Sequence, residues 1–116
     1  MINYSKQKIT TKDKIKVNKV LSSDFLTQGP VVLKFEEKLK KVFGAKYAKV
    51  LSSGTSGLYL AIKSLKLKKG FNAIVTANSF IASANCVLMN GGTVKFCDIN
   101  IYNFNIFIKD LEKKLK

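Results

Sequence analysis

From Tyr47 onward the chain switches repeatedly between strand-like and helix-like patterning, and this alternation constrains its fold more than any other feature. Ala48-Lys49-Val50-Leu51 reads as a short strand, residues 52–57 as a turn of small residues, and residues 58–67 as a helix closing at Gly70. Ala73-Ile74-Val75-Thr76 reads as a second strand. Phe80, Ile81, Ala84, Val87 and Leu88 fall at helical spacing before Gly91-Gly92, and Thr93-Val94-Lys95-Phe96-Cys97 is a third strand ending at Asp98. Strands separated by helices of this length predict an α/β fold with a mixed, mostly parallel sheet and flanking helices. The tail from Asn105 begins one more helix, with Leu111 and Leu115 on its inner face, which Lys116 interrupts before any stop signal. An apolar helix face with nothing left to pack on is expected of a domain cut short.

The residues before Tyr47 read as two helices. Thr10 followed by Asp13 predicts a capped start, and Val17, Val20, Leu21 and Phe25 lie at helical spacing, with an end expected near Ser22-Ser23. Leu26-Thr27-Gln28-Gly29-Pro30 is turn-like. Pro30 suits the first position of a second helix, where its missing N–H goes unnoticed. Val32, Phe35, Leu39 and Val42 predict the buried stripe of that helix, and Gly44 a left-handed stop.

Composition narrows the functional classes. At 116 residues with 47% apolar content the chain holds at most one domain, residues 1–116, and is not of disordered type. That length is short for a complete multi-domain enzyme and agrees better with part of a larger protein. A net charge of +14 invites a nucleic-acid reading. All 21 basic residues are lysine, however, and the planar arginine fork that reads guanine edges is lacking. The lysines recur at solvent-facing helical positions, which predicts a solvated surface and no nucleic-acid partner. No apolar run is long enough for a membrane span and the first residues lack a signal core, so no membrane association and a cytoplasmic location are expected. Cys86 and Cys97 lack metal-ligand spacing and there is no histidine, which predicts two reduced buried thiols and no metal.

The stretch that points to chemistry is Ser52-Ser53-Gly54-Thr55-Ser56-Gly57, between the end of a strand and the start of a helix. Small residues let backbone approach a ligand, and the first free amides of a helix point outward with the positive end of its dipole behind them. Thr55 and Ser56 add hydroxyls, so the turn is suited to a phosphate monoester. Its spacing matches neither G-x-G-x-x-G nor G-x-x-x-x-G-K-[ST]. The plain alternative is an ordinary capped connection.

Read together, Leu26-Thr27-Gln28-Gly29-Pro30, Phe35-Glu36, Phe43-Gly44-Ala45-Lys46-Tyr47-Ala48, Ser53-Gly54-Thr55-Ser56-Gly57-Leu58, Ser79-Phe80-Ile81-Ala82-Ser83-Ala84-Asn85 and Phe96-Cys97-Asp98-Ile99 stand in an order and spacing that cover nearly all of the chain. In these pieces it resembles the DegT/DnrJ/EryC1/StrS family of sugar aminotransferases. The L-T-Q-G-P and S-F-I-A-S-A-N forms look closest to the branch that aminates C4 of a UDP-linked 4-keto-6-deoxy sugar on the way to pseudaminic acid. The resemblance implies the N-terminal part of a fold-type-I large domain that uses pyridoxal 5'-phosphate and works as a homodimer, with glutamate as amino donor. It implies that Thr55 and Ser56 hold the cofactor phosphate, that Gly54 lies near both cofactor and sugar, and that Phe80 lies against the pyridine ring. The alternative for Phe80 is a core aromatic. Tyr4 and the stretch Asp24-Phe25-Leu26-Thr27 look like sugar-nucleotide contacts, a frayed terminus being the alternative for Tyr4.

Departures from the family pattern are Gly70-Phe71-Asn72-Ala73-Ile74 in place of G-D-E-V-I, Ala77 where proline is common, and Tyr59 where histidine is frequent. By the resemblance, the Schiff-base lysine and the aspartate that pairs with the pyridinium nitrogen come later than residue 116, so no catalytic residue is expected here and the isolated chain is expected to be inactive. Two alternatives stand beside this reading: a sugar dehydratase of the same fold and cofactor, in which histidine replaces that lysine, and a small basic nucleic-acid-binding module.

Overall fold

A computed structural model describes residues 5–116, so Tyr4 lies outside the described residues. The chain divides into two units, one ending at Val50 and the other running from Leu51 to Lys116.

The first unit carries α1 (Thr11–Leu21) and α2 (Pro30–Phe43). The expected capping box starts α1: Thr10 Oγ1 accepts from the Asp13 amide at 3.3 Å, and Asp13 Oδ2 accepts from the Thr10 amide at 2.8 Å. The helix stops at Ser22, as expected, and leaves Phe25 outside it. Its apolar positions are not buried, because α1 and α2 make no extensive contact with each other.

The L-T-Q-G-P segment has a backbone explanation. Gln28 turns the chain in the left-handed region at φ 51°, and Gly29 then caps α2 in extended conformation, as a residue before proline must. Gly29 is buried, and a Cβ there would lie 2.9 Å from Phe25 Cβ and 3.1 Å from the Phe25 carbonyl oxygen. Pro30 takes the first helical position and Gly44 ends the helix at φ 60°. The expected buried stripe of α2 is corrected by the structure. Val32, Phe35 and Val42 are exposed and Leu39 is half-buried, while the residue that is buried is a charged one, Glu36, at 7% exposure.

Glu36 spends both carboxylate oxygens on the segment after the helix. Oε1 accepts from the Val50 amide at 3.1 Å and Oε2 from Lys49 Nζ at 2.8 Å. The strand expected at residues 48–51 does not form, since no neighbouring strand pairs with it and the Val50 N–H is taken by Glu36. The Lys49 ammonium and the Val50 amide hold the Glu36 carboxyl below the ordinary glutamate range.

The second unit is built on β1 (Asn72–Thr76) and β2 (Thr93–Cys97), paired in parallel from Asn72 opposite Thr93 to Thr76 opposite Cys97. Between them α4 (Ala82–Met89) crosses over and packs on both strands and on α3 (Gly54–Ser64). Its small residues make the core, where Ala82, Ala84, Cys86 and Val87 are buried with Cys97. Both cysteines are free and buried, as expected.

Three boundaries differ from the sequence reading. Helix α3 starts within the expected turn and ends at Ser64, where Lys66, in the left-handed region at φ 51°, breaks it well before Gly70. Helix α4 begins at Ala82, not Phe80, because Phe80 and Ile81 supply only carbonyls to its first turn, accepting from Ser83, Ala84 and Asn85. At the end of the chain, an antiparallel bridge from Ile99 to Ile106 occupies the expected helix start, so α5 (Ile108–Leu115) begins later. Leu111 is half-buried in α5 and Leu115 is exposed.

Gly29→Ala is expected to destabilise the entry to α2 by about 1–3 kcal/mol, because its Cβ collides with backbone and with a side-chain root that has no rotamer escape. Denaturant titration followed by circular dichroism measures this.

The Glu36 contacts carry a pH signature. A carboxyl held below its unfolded value contributes stability that is fully present above the ordinary glutamate range and is lost as pH falls through its folded value. The denaturation midpoint of the parent should therefore exceed that of Glu36→Gln at neutral pH and converge toward it in acid. Asp13 and Asp110 are also held low and share this sign, but both proteins carry them, so they cancel in the difference.

Candidate phosphate-binding turn and aromatic cleft

Residues 52–57 form the entry to α3 and not a separate loop. Ser53 is the N-cap: its Oγ accepts from the Ser56 amide at 3.1 Å, and its carbonyl accepts from the Gly57 amide at 3.1 Å. Ser56 Oγ lies 3.1 Å from Ser52 Oγ and 3.0 Å from Ser53 Oγ. A hydroxyl has one proton, so Ser56 donates to only one of these neighbours. Sequence reasoning picked out Ser56 and passed over Ser52 and Ser53, although serine ahead of an apolar helix is a cap signal.

What remains open at this helix end is a set of donors. The amides of Gly54 and Thr55 and the Thr55 hydroxyl have no acceptor among the described residues. A Cβ built on Gly54 meets nothing within 4 Å, so packing does not require glycine there and its backbone is open to an approaching group. Two free amides and a hydroxyl at the positive end of an 11-residue helix fit a phosphate monoester. Ser56 fits less simply, because its hydroxyl is already shared with two serines.

Phe80 follows the carboxyl end of β1, the end of an α/β sheet beyond which ligands bind. It borders a cleft of about 260 Å³ with Thr76, Ala77, Ser79, Ile81 and Phe96 among its walls. The ring is 75% exposed, as are many apolar side chains of this chain. The cleft at Phe80 does not include Gly54, Thr55 or Ser56. Asp24, Phe25, Leu26 and Thr27 lie in the first unit, all exposed, in the loop between α1 and α2. There Ser23 Oγ donates to the Val20 carbonyl at 2.7 Å and to the Phe25 carbonyl at 3.3 Å, which fixes the start of the segment.

At the carboxyl end of β2, Asp110 Oδ2 accepts from the Asp98 amide at 2.8 Å and ties α5 to the sheet. That bond is the main reason its carboxyl is held low. Burial pushes the neighbouring Cys97 thiol up, which keeps it protonated and unreactive. Among the described residues no group of histidine, cysteine or acidic side chains has the arrangement of a metal site. No helix there is long and apolar enough to cross a membrane.

The DegT/DnrJ/EryC1/StrS aminotransferase family matches residues 7–116. The chain belongs to this family. It is 41% identical over 115 residues to the UDP-4-amino-4,6-dideoxy-N-acetyl-beta-L-altrosamine transaminase of Campylobacter jejuni subsp. jejuni serotype O:23/36 (strain 81-176), covering 99% of this chain and 30% of that relative. Among solved structures it superposes on the E. coli GDP-4-keto-6-deoxy-D-mannose-3-dehydratase with bound hydrated PLP at a TM-score of 0.88 and 34% identity, over 100% of this chain and 32% of that one. The aminotransferase from Psychrobacter cryohalolentis matches at a TM-score of 0.82 and 29% identity, over 91% and 27% of the two chains. The family member described here thus spans about 30% of the length of the curated relatives it matches.

Ser53→Ala should cost about 1 kcal/mol of helix stability by removing the cap on the Ser56 amide. Thr55→Ala, which removes a hydroxyl with no partner among the described residues, should leave stability within about 0.5 kcal/mol of the parent. Thermal melts of the two variants side by side check the contrast.

Proposed function

We propose that this chain supplies the phosphate-holding part of a pyridoxal-phosphate-dependent sugar aminotransferase. The observation that carries the reading is the entry to α3, where the amides of Gly54 and Thr55 and the Thr55 hydroxyl have no partner among the described residues and a Cβ on Gly54 would meet nothing within 4 Å. In this reading Gly54 and Thr55 bind the cofactor phosphate through backbone and hydroxyl, Ser56 supports them, and Phe80 lies against the pyridine ring. When bound, the cofactor supplies an electron sink and carries the amino group between donor and acceptor. The chain's own residues bind and orient it.

The substrate is a UDP-linked 4-keto-6-deoxy sugar, glutamate is the donor, and the product feeds pseudaminic acid or a related surface sugar. Support comes from the Campylobacter relative, a transaminase named for a UDP-linked amino sugar. Asp24, Phe25, Leu26 and Thr27 are assigned to sugar-nucleotide contacts, with Tyr4 and Gly54. The working form is a homodimer in the cytoplasm. The likeness to the E. coli dehydratase supports a second reading, a sugar dehydratase with the same cofactor. Lysine or histidine at the position that anchors the cofactor separates the two.

Titration of pyridoxal phosphate followed by its absorbance tests the assignment. Thr55→Ala should weaken binding by roughly one to two powers of ten, as expected for a bond of about 1.5–3 kcal/mol to a charged group. Gly54→Ala should leave stability unchanged or raised by up to about 1 kcal/mol while weakening binding, because its methyl group meets only the ligand. Phe80→Ala should shift the absorbance as well as the affinity. Parent-like affinity in both Thr55→Ala and Gly54→Ala would reduce the turn to a capped connection.

A further inference from the structure

The candidate site is divided between two helices of the second unit. The open amides of Gly54 and Thr55 start α3, whereas Phe80 stands just ahead of α4, and the cleft at Phe80 does not reach the turn. A ligand that touches both places therefore depends on where α3 lies against α4. The two helices pack directly on each other. Apolar packing has no preferred direction, but a hydrogen bond fixes both distance and angle. Asn90, the half-buried residue that ends α4, supplies one. Its Nδ2 donates to the Tyr59 carbonyl of α3 at 3.1 Å and to the Cys86 carbonyl of α4 at 2.7 Å. An asparagine amide nitrogen carries two hydrogens, so both are used, and because carbonyls only accept, the nitrogen and not the side-chain oxygen faces them. No other hydrogen bond joins the two helices among the described residues.

The two bonds differ in kind. As α4 closes, the Asn90 N–H turns to the Val87 carbonyl at 3.1 Å, which leaves the Cys86 carbonyl for the side chain to cap. Tyr59 needs no cap, because it lies ahead of the last four residues of α3, whose carbonyls alone lack partners within the helix. The bond to it spans 31 positions of sequence and serves only to hold one helix to the other. From it we infer that Asn90 is a positioning residue for the candidate site: by tying the end of α4 to the middle of α3 it sets the phosphate-holding turn relative to the ring wall at Phe80. This rests on the cofactor reading for what spans the two places, while the tie between the helices exists with or without a ligand. Asn90 stands at the opposite end of α4 from Phe80, so it acts through the helices and not by touching what they hold.

The parent, Asn90→Ala and Asn90→Asp test it, each checked for parent-like helix content. Asn90→Asp keeps the shape of the side chain, but an ionised carboxylate has no hydrogen to donate. Residual dipolar couplings read helix orientation without a ligand: the amides of α3, α4 and β1 should fit one alignment frame in the parent, and in both variants those of α3 should depart from the frame that α4 and β1 still share. Inorganic phosphate needs the turn alone, so both variants should bind it within roughly twofold of the parent. Pyridoxal phosphate needs the turn and the ring wall together, so both variants should bind it roughly tenfold more weakly and with altered absorbance. A common frame kept by both variants overturns the inference, and so does equal weakening toward the two probes, which marks loss of the turn itself. If Thr55→Ala weakens pyridoxal phosphate binding and neither Asn90 variant does, the cofactor reading stands and the positioning role falls. If α3 leaves the common frame but the parent binds no pyridoxal phosphate, the tie between the helices is upheld and the cofactor reading falls.

Discussion

Two parallel strands cannot be joined by a tight turn, and the second unit follows from that constraint. The chain leaving β1 at Thr76 must return to the far end of the sheet before β2 begins at Thr93, and α4 makes the return. A helix crossing so short a sheet lies close to both strands, which favours small residues on its inner face. Helix α4 packs on α3 as well as on the strands, and its small residues Ala82, Ala84 and Cys86, spread over more than one face, are buried with Val87 and Cys97. The same constraint puts the carboxyl ends of both strands on one edge. Phe80 and Asp98 therefore emerge on the side of the sheet where α/β proteins place their ligands.

If the entry to α3 holds a phosphate as proposed, two demands compete for the same groups. A helix start must satisfy its first amides, and a phosphate site must leave some unsatisfied. Here they are divided. Ser53 takes the amides of Ser56 and Gly57 through its hydroxyl and carbonyl, and no group among the described residues takes those of Gly54 and Thr55. Ser52 and Ser56 are drawn into the cap by their hydroxyls. Three serines thus share the cap, while the amides of Gly54 and Thr55 stay open. A turn that capped itself completely would have nothing to offer an anion.

Much of this was legible in the sequence because it rests on local rules. The Thr10–Asp13 box, Pro30 at the helix start, the left-handed Gly44 and the span of β2 depend on neighbours a few positions away, and the structure agrees with each. Where the reading missed, the deciding interaction was non-local. Residues 48–51 have strand composition, but a strand exists only when another pairs with it, and Glu36 takes the Val50 amide instead. The stripe of α2 was visible as a period, yet a period does not say what covers it, and Val32, Phe35 and Val42 are exposed. Glu36 left one trace in the sequence: an acidic residue sharing a face with Val32, Phe35 and Leu39. The roles proposed for Thr55 and Phe80 rest on the family resemblance, since neither spacing nor composition distinguishes a phosphate seat from a capped turn.

Net charge and local geometry answer different questions about an anionic ligand. A chain with a formal charge of +14 attracts any phosphate at long range, raises encounter rates, and loses that advantage as salt is added. Twenty-one lysines on flexible stems do not choose between one phosphate and another, because each is a mobile point charge without fixed direction. Selection needs donors whose positions are set before the ligand arrives, and backbone amides at a capped helix start meet that condition at no cost in side-chain entropy. In the proposed site the amides of Gly54 and Thr55 are such donors. On that reading the basic surface would act on how often a phosphate arrives, and the turn on where it stops.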